Sequence, residues 1–268
     1  MKEAPFFSVI VPTHNRAMLL RRALQSIRSQ APPVEFEVIV VSDMIDADTD
    51  VTCAQCLSAD DIYVRRNGAS GPSESRNVAL SMAKGQYVLF LDDDDAWHPG
   101  FLGQLYAQLT LSPSVPVFFN CSVVQERRFH DGSEILSEDL FDLAGCLTED
   151  VYIKNQVHMS CFAIPRTMLN GVKFDSFMRA YEDWDFLLSV FDRKMPVHFP
   201  LLGSRIFEVP PDVGSSDRRG SSRHAHDFNS VLDYLYVYRR HPASNDVLKQ
   251  KRSALLLSCG ISVAPEMM

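Results

Sequence analysis

Residues 85–99 read GQYVLFLDDDDAWHP, an apolar run that passes without a break into four consecutive carboxylates. Continuous apolar runs such as residues 87–91 are the pattern of strands buried on both faces of a parallel sheet. Ligands of such sheets bind beyond the carboxyl ends of the strands, so the acidic run stands where a site is expected. Two carboxylates about 4 Å apart repel by roughly 4 kcal/mol at an effective dielectric of 20, so the cluster needs water, protons or a cation. On extended backbone alternate residues share a side, which lets Asp92 and Asp94 face one ion while Asp93 and Asp95 face elsewhere. Oxygen ligands suit Mg²⁺ or Mn²⁺. The competing reading is a solvated acidic turn.

The same alternation recurs on either side of this segment. Residues 6–11, stopped by Pro12, and 36–41 are further buried-strand runs, with a brief third at 62–64. Helical spacing marks 16–30, 50–57 and 73–84, the last stopped by Gly85. The order β-α-β-α-β-α-β predicts a largely parallel sheet wrapped by helices. Beyond Pro99 the pattern gives a helix over 101–111, a strand over 115–126 and a polar stretch through Asp139. Strands over 159–164 and 197–202 flank a helix over 182–193, and helices over 228–240 and 245–258 close the chain. Residues 212–226, DVGSSDRRGSSRHAH, lack apolar periodicity and read as a mobile loop.

Composition narrows the class. The 268 residues are 46% hydrophobic and 22% charged, the balance of a soluble folded chain rather than a disordered or coiled-coil one. Lys and Arg number 26 against 34 Asp and Glu, a net charge of −8 that argues against nucleic acid as partner. Six scattered cysteines read as reduced thiols. Cys53 and Cys56 form a CxxC with no second pair, so the reading is packing rather than zinc. No run reaches the roughly 18 to 20 apolar residues of a membrane span, and no secretory leader pattern opens the chain. The expected location is cytoplasmic, with at most peripheral contact at the inner face of the membrane.

Five segments in this order and spacing resemble family 2 glycosyltransferases of the GT-A fold: SVIVPTHNR (8–16), Asp43, GPSESRN (71–77), FLDDDDAWHP (90–99) and YEDWDF (181–186). The resemblance covers about residues 6–200. It implies an α/β GT-A fold: a single Rossmann-like, mostly parallel central sheet flanked by helices, with a helical C-terminal segment. It also implies one domain over 1–268, with a nucleotide-sugar-binding half to about 110, an acceptor-side half over 111–215, and the mobile loop and C-terminal helices over 216–268. Such enzymes are inverting, take a nucleoside-diphosphate sugar and a divalent metal (Mn²⁺ or Mg²⁺), and serve polysaccharide biosynthesis. A glycan or lipid-linked acceptor is implied.

Position by position, the resemblance assigns Pro12, Thr13, Asn15 and Arg16 to the loop bordering the nucleotide and Asp43 to its base or ribose, with Asp46 as rival. Arg76 falls near the phosphates and Asn77 packs beside it. Asp94 becomes the metal ligand, and Asp92 or Asp93 a ribose or water-mediated partner. Asp183 becomes the general base, with Glu182 and Trp184 as acceptor-side candidates. The residues alone support Asp183 in part, since a carboxylate heading a helix between Tyr181 and Trp184 is partly desolvated and poised to take a proton. Asp183 could instead only favour the helix N-terminus, and Trp184 could be core packing instead of a sugar platform. His224 or His226 reaches the metal only by hypothesis, and Arg218, Arg219 and Arg223 are either a solvated loop or a phosphate-closing one.

Two other functions share these features. A sugar-phosphate nucleotidyltransferase is expected to carry a glycine-rich phosphate loop after the first strand, and PTHNR has no glycine. A non-catalytic nucleotide-binding module would have no need of the 92–95 run together with Asp183.

Overall fold

The computed structural model describes residues 4–30, 35–111, 114–129, 132–178, 180–210 and 228–268, with side chains from 232 in the last stretch. Strand β1 (Phe7–Thr13) is buried at every position because both faces are covered by helices. It pairs in parallel with β2 (Phe36–Ser42) on one side and β4 (Tyr87–Phe90) on the other, and β2 pairs in parallel with β3 (Ile62–Arg65). The crossovers are α1 (Ala17–Arg28), α2 (Ala47–Cys56) and α3 (Pro72–Met82), and α1 buries Leu20, Ala23, Leu24 and Ile27 at helical spacing.

Beyond β4 the sheet continues through β8 (Phe162–Pro165), β6 (Val117–Arg128), β9 (Val197–Glu208) and β5 (Ala96–Trp97). Strand β8 is antiparallel to both β4 and β6, so β6 runs in the direction of β4 and its last residues reach the same edge of the sheet. The carboxyl ends of β1, β2, β4 and β6 therefore share one rim. Helices α4 (Phe101–Leu109) and α5 (Glu182–Phe191) follow β5 and β8, and α6 (Phe228–Arg240) and α7 (Asp246–Ser258) close the chain. The architecture is the α/β sheet with flanking helices and a helical C-terminal segment that the pattern predicts.

Three local expectations change. The polar stretch through Asp139 is strand β7 (Ser133–Phe141), a hairpin arm on β6 exposed at every position. With no buried face it needs no apolar alternation, which is why its sequence reads as loop. Helix α2 begins at Ala47, because Asp46 caps it by accepting from the backbone N–H groups of Asp48 and Thr49. Gly85 lies beyond the end of α3, where a Cβ would come within 2.4 Å of the Ser8 nitrogen and 2.6 Å of the Phe7 carbonyl carbon. Glycine is required there by close passage of the two backbones. The loop expected over 212–226, with His224, His226 and its three arginines, lies outside the described residues.

Candidate active site

The turn after β1 is held by the acidic run. Thr13 Oγ1 donates to Asp93 Oδ2 at 2.6 Å, and Arg16 donates to Asp93 through Nη2 and Nε and to Asp94 Oδ2 through Nη1 at 3.1 Å. Asn15 carries φ of +47°, a left-handed conformation uncommon outside glycine and enriched at functional turns. Pro12 lies in β1 opposite Val41. Asp43, at the end of β2, accepts from the Gly71 N–H at 2.6 Å and pairs with His14, tying the ends of β1 and β2 to the entry of α3. Its rival Asp46 is committed to capping α2.

Arg76 joins the acidic run after β4 to the first turn of α5. Buried on α3, it donates to Asp92 Oδ1 at 2.6 Å and to Glu182 Oε1 at 3.3 Å. Asn77 beside it bonds the backbone N–H and C=O of Phe174. Burial opposes the charge of Asp92, but Arg76, then His158, hold its carboxyl below the ordinary range. Burial pushes Asp93 up to about 7, with Asp94 and Asp92 adding to the effect against Arg16. Asp95 is likewise pushed up to about 7, by burial and then by the neighbouring aspartates. Burial and the charge of Asp183 raise Glu182 to about 7.

Asp95 points inward, accepting from Ser160 Oγ at 3.0 Å and from the Phe207 N–H at 3.1 Å. Beside it is His158, whose Nδ1 lies 3.7 Å from Asp95 Oδ2 and whose Nε2 lies 3.9 Å from Asp92 Oδ2. Among the described residues, Asp92, Asp95 and His158 each offer a ligand atom, all within 4.8 Å of one another. Two carboxylates and an imidazole are a donor set that fits a divalent cation, and the burial and neighbouring aspartates that push Asp95 toward neutrality are the local reason one would be welcome. Asp94 lies outside this group, facing Arg16 and Arg128. Burial opposes the charge of His158, yet Asp95 and Asp92 raise its pKa overall.

Asp183 stands in the first turn of α5, behind Tyr181 at φ of +62°. Its Oδ1 accepts from the Trp184 N–H at 2.8 Å and its Oδ2 from Asn155 Nδ2 at 3.4 Å. Trp184 is not a sugar platform: it is 0% exposed, its Nε1 donates to the Val151 carbonyl at 2.7 Å, and Tyr181, Tyr234 and Tyr238 surround its ring. Helical geometry explains this, because the position after Asp183 on α5 turns toward the C-terminal helix that carries Tyr234 and Tyr238, while Phe186 turns to Phe90 of β4. Asp185 also faces the interior, paired with Arg240 and His241 of the C-terminal segment.

The sequence profile of glycosyl transferase family 2 matches residues 8–162. The chain belongs to that family. Among curated relatives, an uncharacterized glycosyltransferase of Haemophilus influenzae is 29% identical over 68% of this chain and 61% of its own length. A GalNAc(5)-diNAcBac-PP-undecaprenol beta-1,3-glucosyltransferase of Campylobacter jejuni is 38% identical over 46% of this chain and 40% of its own. The chain thus spans less than two thirds of these relatives. Of solved structures, Staphylococcus aureus TarS 1-349 in complex with UDP-GlcNAc superposes with a TM-score of 0.65 at 20% identity, over 93% of this chain and 71% of that one. A mannosyltransferase from Pyrobaculum calidifontis in complex with GDP-Man and Mn²⁺ gives 0.57 at 17%, over 99% and 78%. At these identities the likeness establishes the GT-A fold.

The family 2 match includes the DDDD run and ends before Glu182 and Asp183. Two site residues carry no motif of their own. His158 comes to the rim because β8 runs antiparallel, so the turn that leads into that strand, which His158 caps, lies near the end of β4. Arg128 comes there because β6 runs with β4. Both follow from strand direction, which an apolar run does not encode.

Proposed function

We propose that this chain is an inverting glycosyltransferase, moving a sugar from a nucleoside-diphosphate donor to a hydroxyl of a glycan or lipid-linked acceptor. The observation that carries the proposal is Arg76, which bonds Asp92 on the donor side and Glu182 beside Asp183, and so brings a nucleotide-side carboxylate and a base candidate into one cluster. Family membership supports it, and so do the names of relatives, one of which acts on an undecaprenol-linked glycan. Residues 1–268 act as one domain in this reading, with the donor half ending near 110.

Pro12, Thr13, Asn15 and Arg16 border the nucleotide and Asp43 holds its base or ribose, with Asp92 or Asp93 as further ribose or water-mediated contacts. A divalent cation would be held by Asp94, as the resemblance implies, or by Asp92, Asp95 and His158, the set whose spacing supports it, and would neutralise charge on the leaving diphosphate. Asp183 takes the acceptor hydroxyl proton while that oxygen bonds the anomeric carbon and the bond to the diphosphate breaks on the opposite face. One displacement inverts the centre without a protein nucleophile. Arg76 stabilises charge developing on the diphosphate. No helix among the described residues is long and apolar enough to cross a membrane. Action at the cytoplasmic side is part of the same proposal.

A donor screen that reads nucleotide release with Mn²⁺ identifies the sugar. With that donor, Asp183→Asn lowers turnover by about 10² to 10⁴ while nucleotide affinity stays near wild type. Affinity that falls in step with rate refutes the base assignment. Mn²⁺ titration of Asp94→Ala and His158→Ala decides between the two ligand sets.

A further inference from the structure

Strand β6 ends in an arginine that the donor reading leaves unused. Glu126 and Arg128 share one face of the strand, while Arg127 turns outward to an exposed pair with Glu134. Pairing with β7 shifts register between Gln125 and Glu126, leaving Leu136 as an extra residue on the β7 side. Such bulges raise local twist, re-aim strand ends and recur beside active sites.

Glu126, with its side chain fully buried, receives Arg22 Nη1 at 2.6 Å and Arg128 Nε at 2.6 Å. Arg22 is fixed in turn over the Phe207 ring, 3.5 Å from its centroid, and donates to the Asp94 carbonyl. Arg128 is thus gripped from behind through Nε. Its two terminal nitrogens each lie 3.4 Å from the same oxygen, Asp94 Oδ2, which Arg16 Nη1 also approaches, at 3.1 Å. Two guanidinium groups converge on one carboxylate oxygen. Arg128 spends both forks at the outer limit of hydrogen bonding, with more donors than that oxygen can use.

We propose that Arg128, aimed by Glu126, is a phosphate-binding residue that grips the donor's diphosphate together with Arg16. This rests on the donor reading above. The non-bridging oxygens of a diphosphate provide the paired acceptors that a guanidinium fork matches. The donor reading places Arg16 beside the nucleotide, and Arg128, which converges with Arg16 on one oxygen of Asp94, faces the same part of the donor.

The test is calorimetry of UDP, GDP, CDP, ADP and dTDP with Mn²⁺, and of the matching nucleosides. For the diphosphate that wild type binds, Arg128→Gln weakens affinity about 10- to 100-fold and flattens its salt dependence, with nucleoside binding unchanged. Arg128→Lys, which keeps the charge without the fork, falls between and keeps the test open if the Gln variant fails to fold. Arg127→Gln, altering the exposed neighbour, binds as wild type does. Equal diphosphate affinity in Arg128→Lys or Arg128→Gln and wild type overturns this proposal alone. Failure of wild type to bind any of the five diphosphates overturns it together with the donor reading.

Discussion

Trp184→Phe separates packing from sugar contact. The substitution removes the indole N–H that meets the Val151 carbonyl at 2.7 Å, leaving a buried acceptor unpaired at a cost of about 1 to 3 kcal/mol. The smaller ring also leaves a void between Tyr234 and Tyr238, worth roughly 1 kcal/mol more. Together the loss is about 2 to 4 kcal/mol. At about 2 to 4 °C per kcal/mol for a chain of this size, Tm falls by about 4 to 16 °C. The acceptor KM of the folded variant, measured below its transition, stays within about twofold of wild type, because a ring with no exposed face makes no substrate contact. Thermal unfolding by circular dichroism and initial rates on the same preparation supply both numbers. An unchanged Tm with a KM raised tenfold would refute the packing argument and restore the ring to the acceptor side.

Gly85→Ala places a methyl within 2.4 Å of backbone at Ser8, so it destabilises by at least about 1 to 3 kcal/mol or prevents soluble expression; a melt like that of wild type disproves the close passage. Glu182 binds its proton more tightly folded, at about 7, than unfolded, so it contributes a loss of stability as pH rises from about 4.5 to 7. Glu182→Gln removes that contribution, and its Tm relative to wild type rises between pH 5 and pH 8; parallel curves contradict the shift.

Legibility in the sequence followed burial. Strands β1, β2 and β4 have both faces covered, so their residues form unbroken apolar runs that reveal a parallel sheet and locate the acidic cluster at its rim. Strand β7 has neither face covered and left no pattern. Asp92, Arg76, Glu182 and Asp183 all lie in short motifs legible in the sequence, and the structure brings the first three into one hydrogen-bonded chain with Asp183 beside them. Trp184 was ambiguous because an aromatic after an acidic pair fits either a cleft or a core, and only the rotation of α5 decides. His158, Asp95 and Arg128 depend on strand direction and local twist, which are properties of pairing partners far away in the chain.

The antiparallel insertion of β8 also fixes the order in which the parts of the site are synthesised. Strand β4 is complete at Phe90, yet its outer neighbour ends at Pro165, 165 − 90 = 75 residues later. At about 5 to 20 residues per second of synthesis, β8 is completed about 4 to 15 s after β4, and until then the outer edge of β4 lacks the strand that pairs with it in the finished sheet. The strand left open is the one that leads into Asp92 to Asp95. When β8 docks, Ser160 and His158 arrive with it, so the event that seals the sheet also delivers the remaining neighbours of the carboxylates. A chain halted before residue 158 retains the acidic run without the histidine and serine that later surround it.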